Sequence, residues 1–172
     1  MEAEEKNNII PPNLLQIPTN WTSEVWARVE ESLYQIFVDT LVSNKPIFRG
    51  LPVNIRKTPK HKGKDCAFWH LISEGEKEEE RITDLKRCER LGWINWIIVN
   101  CDSVPDHEIC WFEDARPGEK SLVVLWYLPE DYAVILAKRS NYFLLKTAYP
   151  LKPGRKAAFQ KKLKEFKKRK QS

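Results

Sequence analysis

Trp26, Val29, Leu33, Ile36, Phe37 and Leu41 recur at steps of three and four, which places them along one side of a helix. Thr22 or Ser23 suits its N-cap and Glu24 its first turn. Pro46 disfavours helical geometry in the residue before it, so the helix is expected to end near Asn44. Apolar positions then alternate weakly over residues 47–56, and a Pro/Gly/Lys loop over 58–65 leads into Cys66-Ala67-Phe68-Trp69-His70-Leu71-Ile72, which reads as a strand. Thr83 is the expected cap of a short helix with Leu85, Cys88 and Leu91 on one side, ending before Gly92. Residues 93–99 are apolar without a clean period and suit either a second short helix or a buried turn and strand.

The second half of the chain changes to a period of two. Cys110-Trp111-Phe112-Glu113 reads as a short strand, and residues 121–128, 132–138 and 142–148 form three further runs rich in Val, Leu, Ile and aromatics. The loops between these three runs are so short that the strands must be antiparallel neighbours, a meander. In the last run, strict alternation puts Phe143, Leu145, Thr147 and Tyr149 on one face and Leu144, Lys146 and Ala148 on the other. Residues 156–169 suit a helix whose narrow stripe, Phe159, Leu163 and Phe166, either docks weakly or leaves the helix free.

These elements predict an α+β fold, an N-terminal helix packed on an antiparallel sheet with a C-terminal three-stranded meander and a short helical insertion. Residues 1–20, acidic and broken by Pro11, Pro12 and Pro18, are expected to be an extended leader. Residues 21–152 form the expected single domain, and 153–172 a basic tail, helical or disordered.

Charge refines this picture. Residues 155–172 hold nine Lys/Arg and one Glu, a net +8, leaving 20 cations against 23 acids, −3, in the rest of the chain. Within that remainder, residues 45–64 carry seven Lys/Arg and no acid, whereas 74–80 carry five Glu and one Lys. Such runs usually form solvated surface; the functional alternative is attraction of phosphates by the basic segment and tail. The absence of a signal-peptide pattern and of any run near 18 apolar residues leads to the expectation of a soluble, cytoplasmic protein with no membrane contact. Cys66, Cys88, Cys101 and Cys110 lack C-x-x-C or zinc-finger spacing and read as small buried hydrophobes. A zinc site from Cys101, His107 and Cys110 has no evident fourth ligand, so no metal is assigned.

Few residues carry recognisable chemistry. His70, one of three histidines, sits within an apolar run and is the natural proton-transfer candidate, although an isolated strand histidine more often bonds a backbone carbonyl. Arg87 and Arg90, three apart, are neighbours on a helix surface with Arg81 near its entrance; they suit either surface ion pairs or a guanidinium clamp on phosphate. Thr147 and Tyr149 bring two hydroxyls to the end of the last strand, with Lys146 opposed. No Gly-rich phosphate loop, H-E-x-x-H or G-x-S-x-G motif is present, and any catalysis is expected to need no cofactor.

The order of these pieces, Phe68-Trp69-His70-Leu71, then Asp84-Leu85-Lys86-Arg87-Cys88-Glu89-Arg90 with Trp93, then the terminal run ending Leu144-Leu145-Lys146-Thr147-Ala148-Tyr149, resembles the barnase–EndoU–colicin–RelE-like (BECR) ribonuclease superfamily, in particular its phage and polyvalent-protein branches. The resemblance spans residues 48–150 as an architectural comparison, and none of the pieces is a strict motif. It implies a metal-independent endoribonuclease that drives the ribose 2′-hydroxyl onto its neighbouring phosphate, a toxin or phage-conflict factor with RNA as substrate and an antitoxin or other protein as partner. In that scheme His70, Arg87, Arg90, Thr147 and Tyr149 are catalytic, and Arg81 and Lys146 bind substrate. Some branches use two histidines. His61 and His107 lie in loops here, which leaves the second proton-transfer role unassigned. The alternatives are a non-catalytic nucleic-acid-binding module and a protein–protein adaptor.

Overall fold

The computed structural model describes residues 10–115, 117–118 and 121–171. Helix α1 (Ser23–Phe37) begins where the Thr22 hydroxyl accepts the Val25 N–H at 3.1 Å, and it widens into a π-helical turn over Val38–Ser43. Leu33, Phe37 and Leu41 are buried on its inner side. Strands β1 (Ile47–Phe48) and β2 (Leu51–Asn54) form a hairpin whose turn residues, Arg49 and Gly50, both have positive φ, the geometry of a tight two-residue connection.

Residues 66–72 do not form the expected strand. They are helix α2 (Cys66–Ile72), with Ala67, Phe68, Leu71 and Ile72 buried and Trp69 and His70 turned toward the rim. A short, mostly apolar run fits a buried helix as well as a strand, and here the three- and four-residue spacing of the buried Ala67, Phe68, Leu71 and Ile72 is that of a helix. His70 therefore shares no strand face with Phe68 and Ile72. Strand β3 (Ser73–Glu74) pairs antiparallel with β4 (Ile82–Thr83), so Thr83 serves the ladder rather than a cap. Asp84 caps α3 (Leu85–Glu89) instead, its carboxylate accepting the N–H groups of Lys86 and Arg87. Helix α4 (Trp93–Asn100) takes the helical option that the sequence left open.

Strands β5 (Ile109–Asp114), β6 (Leu122–Tyr127), β7 (Tyr132–Lys138) and β8 (Phe143–Pro150) follow, then helix α5 (Pro153–Gln171). The main sheet has six strands in the order β1-β2-β8-β7-β6-β5. The fold is α+β. The meander is antiparallel as expected, but the sheet is not wholly so, because β8 joins β2 in parallel through Val53–Phe143 and Asn54–Leu144. Among the described residues β8 has no strand partner on that side beyond Leu144, and α2 and α3 lie against it instead.

Both faces of the sheet are covered. One packs on α1, α2 and α4 around Phe37, Phe68, Ile97 and Leu136. The other packs on α5, with Phe159 set between the rings of Phe112 and Trp126. The tail is thus a docked helix, further tied by Lys156 to Asp131 at 3.0 Å and Lys162 to Asp114 at 2.7 Å. The described part of the leader is held as well: Leu15 N–H donates to the Glu89 carbonyl and Trp93 Nε1 to the Pro12 carbonyl. Residues 1–9 of the expected leader lie outside the described residues.

The register of β8 overturns the expected alternation. Leu145 stands opposite Leu136 while Thr147 stands opposite the adjacent Ile135, so Lys146 is an extra residue in a β-bulge. The bulge reverses which side chains face which way. Phe143, Leu145 and Ala148 join the core under α1, α2 and α4, whereas Tyr149 packs with the cluster under α5. Thr147 and Tyr149 therefore do not share a face with Phe143 and Leu145.

Candidate functional site

The α2–β3 corner is built around two arginines. Arg81 donates from Nε to the Ser73 hydroxyl at 3.0 Å and from its terminal nitrogens to the carbonyls of Ser73 at 2.6 Å, Gly75 at 2.7 Å and His70 at 3.3 Å. Arg87 reaches the same Ser73 carbonyl at 2.8 Å and that of His70 at 3.4 Å. These guanidiniums close the C-terminal end of α2, whose last carbonyls have no helical partner. Gly75 is required beneath this clasp: its φ is +144, and a Cβ there would lie 3.0 Å from the Arg81 Cα.

The Glu-rich segment after Gly75 returns over α2 and brings Glu78 to His70, where the imidazole Nε2 and Glu78 Oε2 are 3.0 Å apart. An ionised carboxylate only accepts, so Nε2 carries the hydrogen and Nδ1 is the basic nitrogen. Burial, then the Arg81 guanidinium, holds the His70 pKa below its ordinary 6.5 against the opposing pull of Glu78. The ring is therefore neutral at pH 7. His70 lines a small hollow of about 90 Å³ with Arg56, Cys66, Ala67, Leu144, Leu145 and Lys146. A neutral imidazole thus sits in a hollow with two cations, one of them the bulged lysine.

A second, larger cleft of about 410 Å³ opens farther along β8, between α3 and the start of α5. Lys86, Arg87, Lys152 and Arg155 supply its cations, Glu74 and Asp84 its acids, and Tyr149 its aromatic wall. The Arg87 guanidinium carbon lies 5.6 Å from the centre of the Tyr149 ring. Arg87 Nε also pairs with Asp84 Oδ2 at 3.4 Å but is too poorly aligned for a hydrogen bond, so this buried donor has none. Since Lys146 and Tyr149 are three residues apart in one strand, the two hollows are about 10 Å apart along it.

The candidate residues therefore divide. His70 and Lys146 share the small hollow; Arg87 and Tyr149 meet in the larger cleft, and Arg87 touches the His70 backbone without approaching as a free phosphate clamp. Arg81 belongs to the clasp. Arg90 turns away from Arg87, with its guanidinium over the Trp93 ring at 5.3 Å and paired with Glu89 at 3.3 Å. Thr147 faces the α5 side of the sheet and lines neither hollow. Sequence reasoning did not single out Arg56, Glu78, Lys86, Lys152 or Arg155. The only signals available were the charged runs that contain Arg56, Glu78 and Arg155, since nothing local indicates which members of such a run fold back to line a hollow.

All four cysteines are free and buried, and burial pushes Cys88 and Cys101 up to about 12 and Cys110 to about 11, so these three are neutral thiols rather than nucleophiles at pH 7. Among the described residues no three His, Cys, Asp or Glu side chains are grouped to hold a metal ion, and no helix is long and apolar enough to cross a membrane. Comparison of the chain with protein-family models, with curated proteins and with solved structures found no match.

Proposed function

We propose that the protein is a metal-independent endoribonuclease-like protein that cleaves RNA by attack of a ribose 2′-hydroxyl on the adjacent phosphate, acting as a toxin or phage-conflict factor. The observation that carries this reading is the small hollow, where a neutral histidine held by a carboxylate lies with Arg56 and Lys146. Nδ1 of His70 takes the 2′-hydroxyl proton, and Glu78 stabilises the imidazolium that forms. Arg56 and Lys146 hold the non-bridging oxygens as charge builds on the phosphorane. The Lys146 ammonium then gives its proton to the departing 5′-oxygen, leaving a 2′,3′-cyclic phosphate. The role first assigned to Arg87 and Arg90 thus passes to Arg56 and Lys146, and the resemblance to the BECR superfamily supports the reaction class only.

Incubation with single-stranded and structured RNA in EDTA, before and after removal of any copurifying protein, tests the reading. Cyclic-phosphate ends that fall at least about 100-fold with His70→Ala are expected. Intact RNA throughout would overturn it and leave a binding module or an adaptor.

A further inference from the structure

The cations of this chain are of two kinds. Those of the 45–64 segment are largely held by their surroundings: Lys45 by Asn54, Arg49 by Asp102, Lys60 by Asp65 and Lys64 by Glu31. Helix α5 separates its own. Lys156 and Lys162 fasten it to the sheet, while Lys161, Lys164 and Lys168 are exposed, have no ion pair among the described residues and lie at steps of three and four on the side away from Phe159, Leu163 and Phe166. The start of the helix adds exposed Lys152 and Arg155, which line the cleft beside Tyr149. From Arg155, which stands on the cleft side of α5, to Lys168 on its outer face, these cations span roughly 20 Å along the helix axis and wind about half a turn round it.

We infer that the outward face of α5 and the cleft beside Tyr149 form one tract for the phosphates of single-stranded RNA. This rests on the ribonuclease reading for the identity of the strand. The surface chemistry selects the partner class. The exposed large apolar residues of the described chain, Ile10, Leu14, Trp21, Ile47, Ile82, Leu85 and Val99, all lie off α5, so its outer face has no anchor for a protein hot spot and no wedge for a lipid surface. Exposed lysines that follow a helix and lead to a cleft with an aromatic wall suit a flexible polyanion. Neutralising the row also leaves the docking side of the helix untouched.

The test is fluorescence anisotropy of a 2′-O-methyl RNA oligonucleotide, which has no free 2′-hydroxyl and is not cleaved, titrated over a range of salt concentrations. The slope of log K against log salt should become less negative by about 0.7 for each lysine removed, hence by about 2 for the triple variant Lys161→Gln, Lys164→Gln, Lys168→Gln, with helix content unchanged by circular dichroism. The paired variant Lys152→Gln, Arg155→Gln should reduce the slope by a further amount of about 1.4. An unchanged slope overturns the tract, as does equal lysine dependence on vesicles containing phosphatidylserine without RNA binding. A salt-dependent slope with no cleavage of ordinary RNA would remove the ribonuclease reading and keep the tract; cleavage with an unchanged slope would do the reverse.

Discussion

Leu145 and Thr147, two residues apart in one strand, face opposite sides of the sheet. Leu145 pairs with Leu136 and Thr147 with Ile135, and Lys146 between them takes no partner. Deletion of Lys146 should therefore preserve both pairings, since regular alternation then resumes with the same neighbours. Cross-strand NOEs from Leu145 to Leu136 and from Thr147 to Ile135 would show this, alongside loss of RNA cleavage. Deletion of Ala148 should instead bring Tyr149 into the space of a fully buried alanine, at a cost of about 3 kcal/mol in denaturant unfolding.

The His70–Glu78 pair makes a pH-dependent prediction. The pKa of His70 is lowered in the folded protein, so folding favours the neutral ring; this contribution to stability is full above pH 6.5 and is lost as pH falls below it. Glu78 opposes the shift, so Glu78→Gln should lower the His70 pKa further. An NMR titration of the His70 ring protons should give a midpoint below 6.5 in the wild type and lower still in the variant. The acid limb of any cleavage profile should move in the same direction.

Arg81 should act on structure rather than on chemistry. Its guanidinium donates to Ser73, Gly75 and His70, a fork that an ammonium cannot reproduce. Arg81→Lys is expected to cost about 2 kcal/mol and to speed amide exchange across the β3–β4 pair. A variant of wild-type stability would show that the clasp does not hold this corner.

Phe159→Ala tests the docking of the tail. The ring is buried between Phe112 and Trp126, so its truncation should cost about 3 kcal/mol or more in denaturant unfolding. Trp126 fluorescence should also shift as water reaches the α5 face. A cost below about 1 kcal/mol would mean that α5 contributes little to the packing of that face.

The meander was legible because Tyr132–Lys138 and its neighbours are β-rich runs joined by loops too short for any other arrangement. The first helix was legible for a similar reason, its apolar stripe and its Thr22 cap being local features. Residues 66–72 were not, because a seven-residue run whose one polar member is His70 has too few polar positions to reveal its period. Nor was the pairing of His70 with Glu78, which depends on how the chain turns at Gly75 and how Arg81 closes over it.

Local composition by itself determined the α+β class, the meander, the first helix and a basic C-terminal segment able to form a helix. Only the tertiary structure decided that α5 docks, that α2 is a helix and that Lys146 is a bulge. Each of these depends on partners far away in the chain: Phe112 and Trp126 receive Phe159, the core around Phe37 receives Phe68, and the position of Ile135 and Leu136 leaves Lys146 unpaired. Periodicity reports which side chains want burial, but a single extra residue inverts a strand's faces, and only the neighbouring strand determines where that residue falls.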